Sequence, residues 1–504
     1  MSTVLLVEDD PDQIELRTLL LESDGHTVFG ASTAARAREL LGKKPEFALL
    51  DLRIPSLEDG FAFIRELRMR CPGTRIFVLT GLASAIKGRP EHSLVDRVLQ
   101  KPFRHELLAS LLRTAALLLV APLLFAATHG FSLDHAAECA ATIEMSAPDA
   151  VFAEVHLDGK PLAHIPVFAG PERYRYSIHL GKLAAGNHSI RLDRSASVHS
   201  LTIQQPDPAV LEHAPILYAR TSTLGRFSDV PLLMYAERLS EQRRPYLQYT
   251  VVFSNEDGGT STRALMARWG RTTDIEHVYR LWTDHATIQT RDHKDVVFTG
   301  SFEDKHPLLI VSTDNNMVSP GSAGPMRFRP VPILVDLSSA SREKVMDDDP
   351  VTYRVAAQEL DREKKLRPFG KVEGQSISDP RNYLYVEALI HNRDSRVAFR
   401  ARLDGSERWY SSHLGKLDYA IERSGWVRST IELPPSTRPD QVAELAAECL
   451  VDKNALLAGM CRLDAVSKVF LLRGDYRPGP PFFSVAKSSE LPTGEMIRWI
   501  LPLK

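Results

Sequence analysis

Between residues 1 and 115, short apolar runs alternate with stretches whose apolar positions recur every three to four residues. The runs at 4–7, 26–29, 47–50, 76–79 and 97–100 predict strands. The stretches 13–22, 34–41, 61–69 and 104–112 predict helices. Strands alternating with helices predict a doubly wound α/β domain, flavodoxin-like, with a parallel sheet covered on both faces.

Residues 115–127 then form an uncharged run, AALLLVAPLLFAA, with Arg104 and Arg113 before it and Asp134 and Glu138 after it. This predicts an apolar helix over 107–130. The run is short for a membrane span and has the length of a signal-peptide core. Spanning, cleavage after export and burial in a core all stay open. Residues 132–205 alternate apolar and polar positions and carry the turn dipeptide Asp158-Gly159, which predicts a small β-sandwich-like module. Three prolines make 206–215 a linker. Residues 216–504 predict a larger β-rich region of mixed α and β character, with helices over 338–366 and 440–457.

The chain has 504 residues, so several domains are expected. Lys+Arg is 62 and Asp+Glu is 64. Charge this balanced supplies no basic field, and no nucleic-acid partner is expected. Four cysteines exclude a disulfide scaffold. Cys449 and Cys461 form a disulfide if this part is exported, with two buried thiols as the equal alternative.

The first strand ends on Glu8, Asp9 and Asp10, the third on Asp51, the fourth on Thr80, and the fifth on Lys101. Ligands bind at the carboxyl ends of strands in an open parallel sheet, so these residues are expected to converge. Crowded carboxylates require a cation, and oxygen-only ligands favour Mg²⁺. Asp51 is then the nucleophile toward phosphorus, with Thr80 and Lys101 stabilising the phosphoryl oxygens. Gly81 leaves room for that group.

On these residues the segment 1–115 resembles the receiver domain of two-component response regulators. Glu8 and Asp9 stand in LLVEDDP, Asp51 in DLRIPSLEDG, Thr80 in VLTG and Lys101 in LQKPF. Asp51, Pro55 and Gly60 have the family's spacing. The resemblance covers under a quarter of the chain. It implies phosphorelay signalling, with a sensor histidine kinase as the partner that phosphorylates Asp51. It also implies Mg²⁺ held by Glu8, Asp9, Asp51 and the backbone carbonyl of Arg53. Val98 stands where the family carries an aromatic switch residue, and 82–96 lacks a clear fourth helix.

The receiver belongs in the cytoplasm. Residues 132–504 are periplasmic or extracellular if the apolar run spans or directs export. A homodimer and a membrane surface are further partner readings. The alternative function is an exported binding protein for carbohydrate or a surface polymer, or a hydrolase, joined to a passenger receiver. Within 254–260 and 314–316, oxygen-rich loops suggest either Ca²⁺ or plain turns. The stretch 264–277, with Arg268, Trp269, Arg271, Asp274, Glu276 and His277, pairs carboxylates with histidine without any complete catalytic motif. Trp269, Trp282, Trp409 and Trp426 are either a sugar-binding face or core. No classical enzyme activity is assigned.

Overall fold

A computed structural model describes residues 3–71, 74–81, 86, 89, 91, 94–101, 128–193, 196–220, 230–256, 258, 260–324, 326–453 and 459–501. It divides into two units, Met1–Phe125 and Ala126–Lys504.

The first unit holds five parallel strands, β1 (Thr3–Val7), β2 (Thr27–Ala31), β3 (Phe47–Asp51), β4 (Arg75–Thr80) and β5 (Arg97–Gln100), in the order β2-β1-β3-β4-β5. Val4–Val7 and Phe47–Leu50 are buried throughout. Such continuous apolar runs arise because helices cover both faces of the sheet. Those helices are α1 (Pro11–Ser23), α2 (Ala34–Leu40) and α3 (Leu57–Arg70). Alternate strand residues feed two cores, one around Leu5, Val7 and Phe63 and one around Val4, Leu6 and Leu49. The strand order reverses between β1 and β3, so their carboxyl ends frame a crevice.

The second unit opens with seven strands, β6 (Thr128–Leu133), β7 (Ala137–Ala147), β8 (Val151–Leu157), β9 (Lys160–Val167), β10 (Gly170–Leu183), β11 (Gly186–Leu192) and β12 (Ser197–Gln204). They form sheets ordered β10-β7-β12 and β6-β11-β8-β9, which share one core. Residues 128–130, expected at the end of an apolar helix, are therefore strand. The rest of the apolar run lies outside the described residues. Among the described residues, no helix is long and apolar enough to cross a membrane. The proline-rich 206–215 stretch holds a helical turn, Pro208–Leu211, whose Val210 and Leu211 are buried.

The remainder is β-rich. A five-stranded sheet contains Ile216–Tyr218 and His306–Val311. A six-stranded sheet contains Pro231–Glu241, Arg244–Phe253, Asp274–Trp282 and Ala286–Thr290. Two further sheets, containing Tyr383–Arg393 and Ser395–Leu403 respectively, enclose a common core. Helices run over Thr262–Trp269, Lys344–Asp348 and Val351–Arg362. The helix expected over 440–457 is not formed: Val442–Val451 is a strand between Ser395–Leu403 and Met496–Ile500. The Ala, Leu and Glu of this stretch favour helix locally, but ladders on both sides and burial of Leu445, Ala447 and Cys449 override that preference. Cys449 and Cys461 are joined by a disulfide, with Cα atoms 5.7 Å apart. It links the two sheets around this core.

Candidate functional site

The crevice at the carboxyl ends of β1 and β3 gathers the expected residues. Carboxylate oxygens of Glu8, Asp9 and Asp51 lie within 4.8 Å of one another. Glu8 is buried, Asp51 half-buried and Asp9 exposed. Lys101 donates from Nζ to Glu8 Oε2 at 2.7 Å and to Asp51 Oδ2 at 2.6 Å. The Lys101 backbone amide donates to the Thr80 carbonyl at 2.8 Å. This fixes the residue after β5 to the end of β4, where Thr80 is buried.

The local chain explains these placements. The Arg53 amide donates to Asp51 Oδ1 at 3.0 Å, which anchors the carboxylate at the strand end. Asp10 is not part of the cluster. Its carboxylate caps α1, accepting from the amides of Asp12 and Gln13 ahead of Pro11 at the first helical position. The third carboxylate of the cluster is thus Asp51, from a different strand. Gly60 faces the loop after β3 so closely that an added Cβ would lie 2.1 Å from the Leu52 carbonyl oxygen. That contact accounts for the spacing between Asp51 and Gly60. Among the described residues, nothing lies within 4 Å of a Cβ built on Gly81.

Electrostatics divide the labour. Burial pushes the Glu8 carboxyl upward, and the Lys101 ammonium only partly offsets it. Burial also acts to raise Asp51, but the Arg53 amide and the Lys101 ammonium outweigh it, and Asp51 is held below the usual carboxylate range. Burial works to lower Lys101, yet bonding to Asp51 and Glu8 prevails and its pKa is raised. The arrangement is therefore an ionised carboxylate beside a fixed ammonium. The donor set is oxygen-only and closely spaced, which fits a hard divalent cation. Val98, on β5, is half-buried and packs against the receiver core.

Elsewhere, Trp269, Arg271, Asp274, Glu276 and His277 of the 264–277 stretch line one cavity together with Glu256, Asp314 and Asn315 of the oxygen-rich loops. His277 Nε2 lies 2.7 Å from Asp295, and Asp284 lies 2.8 Å from His285 at the surface. Among the described residues, the 254–260 and 314–316 loops hold no metal-ligand group of three, and Asp257 lies outside those residues. Trp269 and Trp426 line one cavity, while Trp282 and Trp409 lie apart from it. Trp282 stacks on Tyr246, Trp269 packs against Arg268 and Arg423, Trp409 packs on Arg498, and Trp426 donates to the Ser338 carbonyl.

Residues 4–113 match the family model of the response regulator receiver domain. The KDP operon transcriptional regulatory protein KdpE of Escherichia coli strain K12 is 34% identical over 116 residues, covering 23% of this chain and 51% of KdpE. The transcriptional regulatory protein AruR of Pseudomonas aeruginosa is 38% identical over 84 residues, covering 16% of this chain and 34% of AruR. The chain thus spans about half or less of the length of these curated relatives. Among solved structures, a sensor protein from Polaromonas sp. JS666 is 31% identical, with 23% of this chain and 94% of that chain covered and a TM-score of 0.21. The response regulator protein TrrA of Thermotoga maritima is 21% identical, with 23% and 99% covered and a TM-score of 0.21. The amino-terminal unit is a receiver domain of the two-component type.

Proposed function

We propose that Asp51 accepts a phosphoryl group from the phosphohistidine of a sensor histidine kinase. An Asp51 carboxylate oxygen attacks phosphorus, the phosphorus–nitrogen bond breaks, and the electron pair returns to the imidazole. The observation that carries this reading is Lys101 held at once by Glu8 and Asp51. One ammonium keeps Asp51 ionised for attack and stands ready to meet a phosphoryl oxygen when the Asp51 charge is spent. Thr80, at the end of β4, offers its hydroxyl to another oxygen.

Glu8, Asp9 and Asp51, with the Arg53 backbone carbonyl, would hold Mg²⁺. Bound there, the cation supplies neutralisation of charge on the phosphoryl oxygens. Glu8 and Asp9 fix that charge beside the acceptor, and Lys101 balances the second acidic strand end.

Incubation with acetyl phosphate and Mg²⁺, followed by phosphate-affinity electrophoresis, tests the reading. Wild type is expected to shift and Asp51→Asn to stay unshifted. Labelling of Asp51→Asn at the wild-type level would defeat it.

A further inference from the structure

Within the unit Ala126–Lys504, strands Arg244–Phe253, Asp274–Trp282 and Ala286–Thr290 run into loops around a cavity of about 920 Å³. A second cavity of about 440 Å³ shares Trp269, His277 and Arg342 with it. The two make one extended groove, larger than a typical single-ligand pocket.

The wall is built from alternate positions. Asp274 and Glu276, two apart on one strand, line the same cavity. Just beyond them, the pairing of Tyr249 with Tyr279 and of Thr250 with His277 leaves one extra residue on this strand. A bulge of this kind re-aims the side chains beside it, and His277 lines both cavities. The Gln289 amide nitrogen donates to Glu276 Oε2 at 2.9 Å, and its oxygen accepts from His293 Nδ1 at 3.1 Å. Glu276 is 8% exposed and Asp274 1%.

The charges leave a surplus. Arg271 lies 3.3 Å from Glu343, Arg342 lies 3.7 Å from Glu343, and Arg220 lies 2.6 Å from Asp314. Arg291, exposed at the rim, has no ion-pair partner among the described residues. Burial, then the Asp274 charge, pushes Glu276 up to about 8 and Glu256 up to about 7. A protonated carboxyl carries a donor O–H beside an acceptor oxygen, much as the Gln289 amide carries a donor nitrogen beside an acceptor oxygen. Vicinal hydroxyls demand that pairing. The apolar lining is Trp269 and Met317 in the first cavity and Tyr235, Trp269, Leu337, Ala340 and Trp426 in the second, so it is largely aromatic, of the kind on which sugar rings pack.

We propose that this groove binds an acidic oligosaccharide, with its hydroxyls on Glu256, Glu276 and Gln289 and a sugar carboxylate on Arg291. The extended two-part shape accommodates more than one sugar ring.

The test is calorimetric titration of the full-length chain with trigalacturonate, trimannuronate and neutral maltotriose. Saturable binding of an acidic trisaccharide is expected, about tenfold tighter than maltotriose. Arg291→Ala is expected to remove that preference. Glu276→Gln keeps the donor–acceptor pair and is expected to retain affinity within about threefold, whereas Glu276→Ala loses about tenfold. Arg291 is exposed, so its variant decides the matter even where a Glu276 change disturbs folding. No saturable heat with either acidic sugar up to about 10 mM, tighter binding of maltotriose, or an unchanged preference in Arg291→Ala would overturn the proposal.

Discussion

Lys101 Nζ lies 2.6 Å from Asp51 Oδ2, and the same ammonium reaches Glu8 Oε2 at 2.7 Å. One cation thus holds together carboxylates from two neighbouring strands. Without it, Glu8 and Asp51 repel and Asp51 loses a source of its lowered pKa. Lys101→Ala is expected to slow acetyl-phosphate labelling by about a hundredfold, read by phosphate-affinity electrophoresis. Chelation of Mg²⁺ by EDTA is expected to stop labelling in wild type.

Asp10 sits among the acidic residues after β1, yet its carboxylate caps α1. Asp10→Ala is expected to cost about 1 kcal/mol and to speed amide exchange in the first turn of that helix. The Mg²⁺ dependence of labelling should stay at the wild-type value. A raised Mg²⁺ requirement would make Asp10 a ligand instead.

The disulfide between Cys449 and Cys461 closes a loop with a sequence separation of 12. Loop-closure entropy for this size is worth roughly 3 kcal/mol. All five tryptophans fall between 269 and 499, so their fluorescence follows this unit. A Cys449→Ser/Cys461→Ser double variant is expected to lower the urea midpoint by a corresponding amount. No change in the midpoint would show that the cross-link adds no stability.

Glu276 is pushed up to about 8 from an ordinary 4.5, first by burial and then by Asp274. In that interval the folded chain holds a proton that the unfolded chain has released. Its contribution to stability is therefore fully present below pH 4.5 and is lost as pH rises through 8. Between pH 6.5 and 8 the loss from this residue is about 2 kcal/mol. Urea unfolding followed by tryptophan fluorescence should show the decline, and Glu276→Gln should flatten it. A wild-type midpoint independent of pH over this range would refute the assignment.

The receiver was readable from the chain because each of its signals is local. Val4–Val7 and Phe47–Leu50 are unbroken apolar runs, which a sheet covered on both faces requires. Asp51, Thr80 and Lys101 each follow such a run, so a parallel sheet brings them to one edge whatever joins the strands. The acidic run alone did not say which side chain serves which end; the family resemblance picked Glu8 and Asp9 for the cation. Asp9 and Asp10 are identical in type, and only the path of the chain into α1 turns one toward the cluster and the other onto helix amides.

Beyond the receiver the balance shifts. The 442–451 stretch carries good helix formers, and its strand state rests on partners at 395–403 and 496–500. Those contacts are remote in sequence, so no window of local pattern contains them. The groove around Glu276 has the same origin. Glu256, Glu276 and the 289–291 segment come from a loop and two different strands, and the sequence singled out the first two regions without joining them to the third. Burial and mutual charge change their chemistry, and both arise when the sheets close around them.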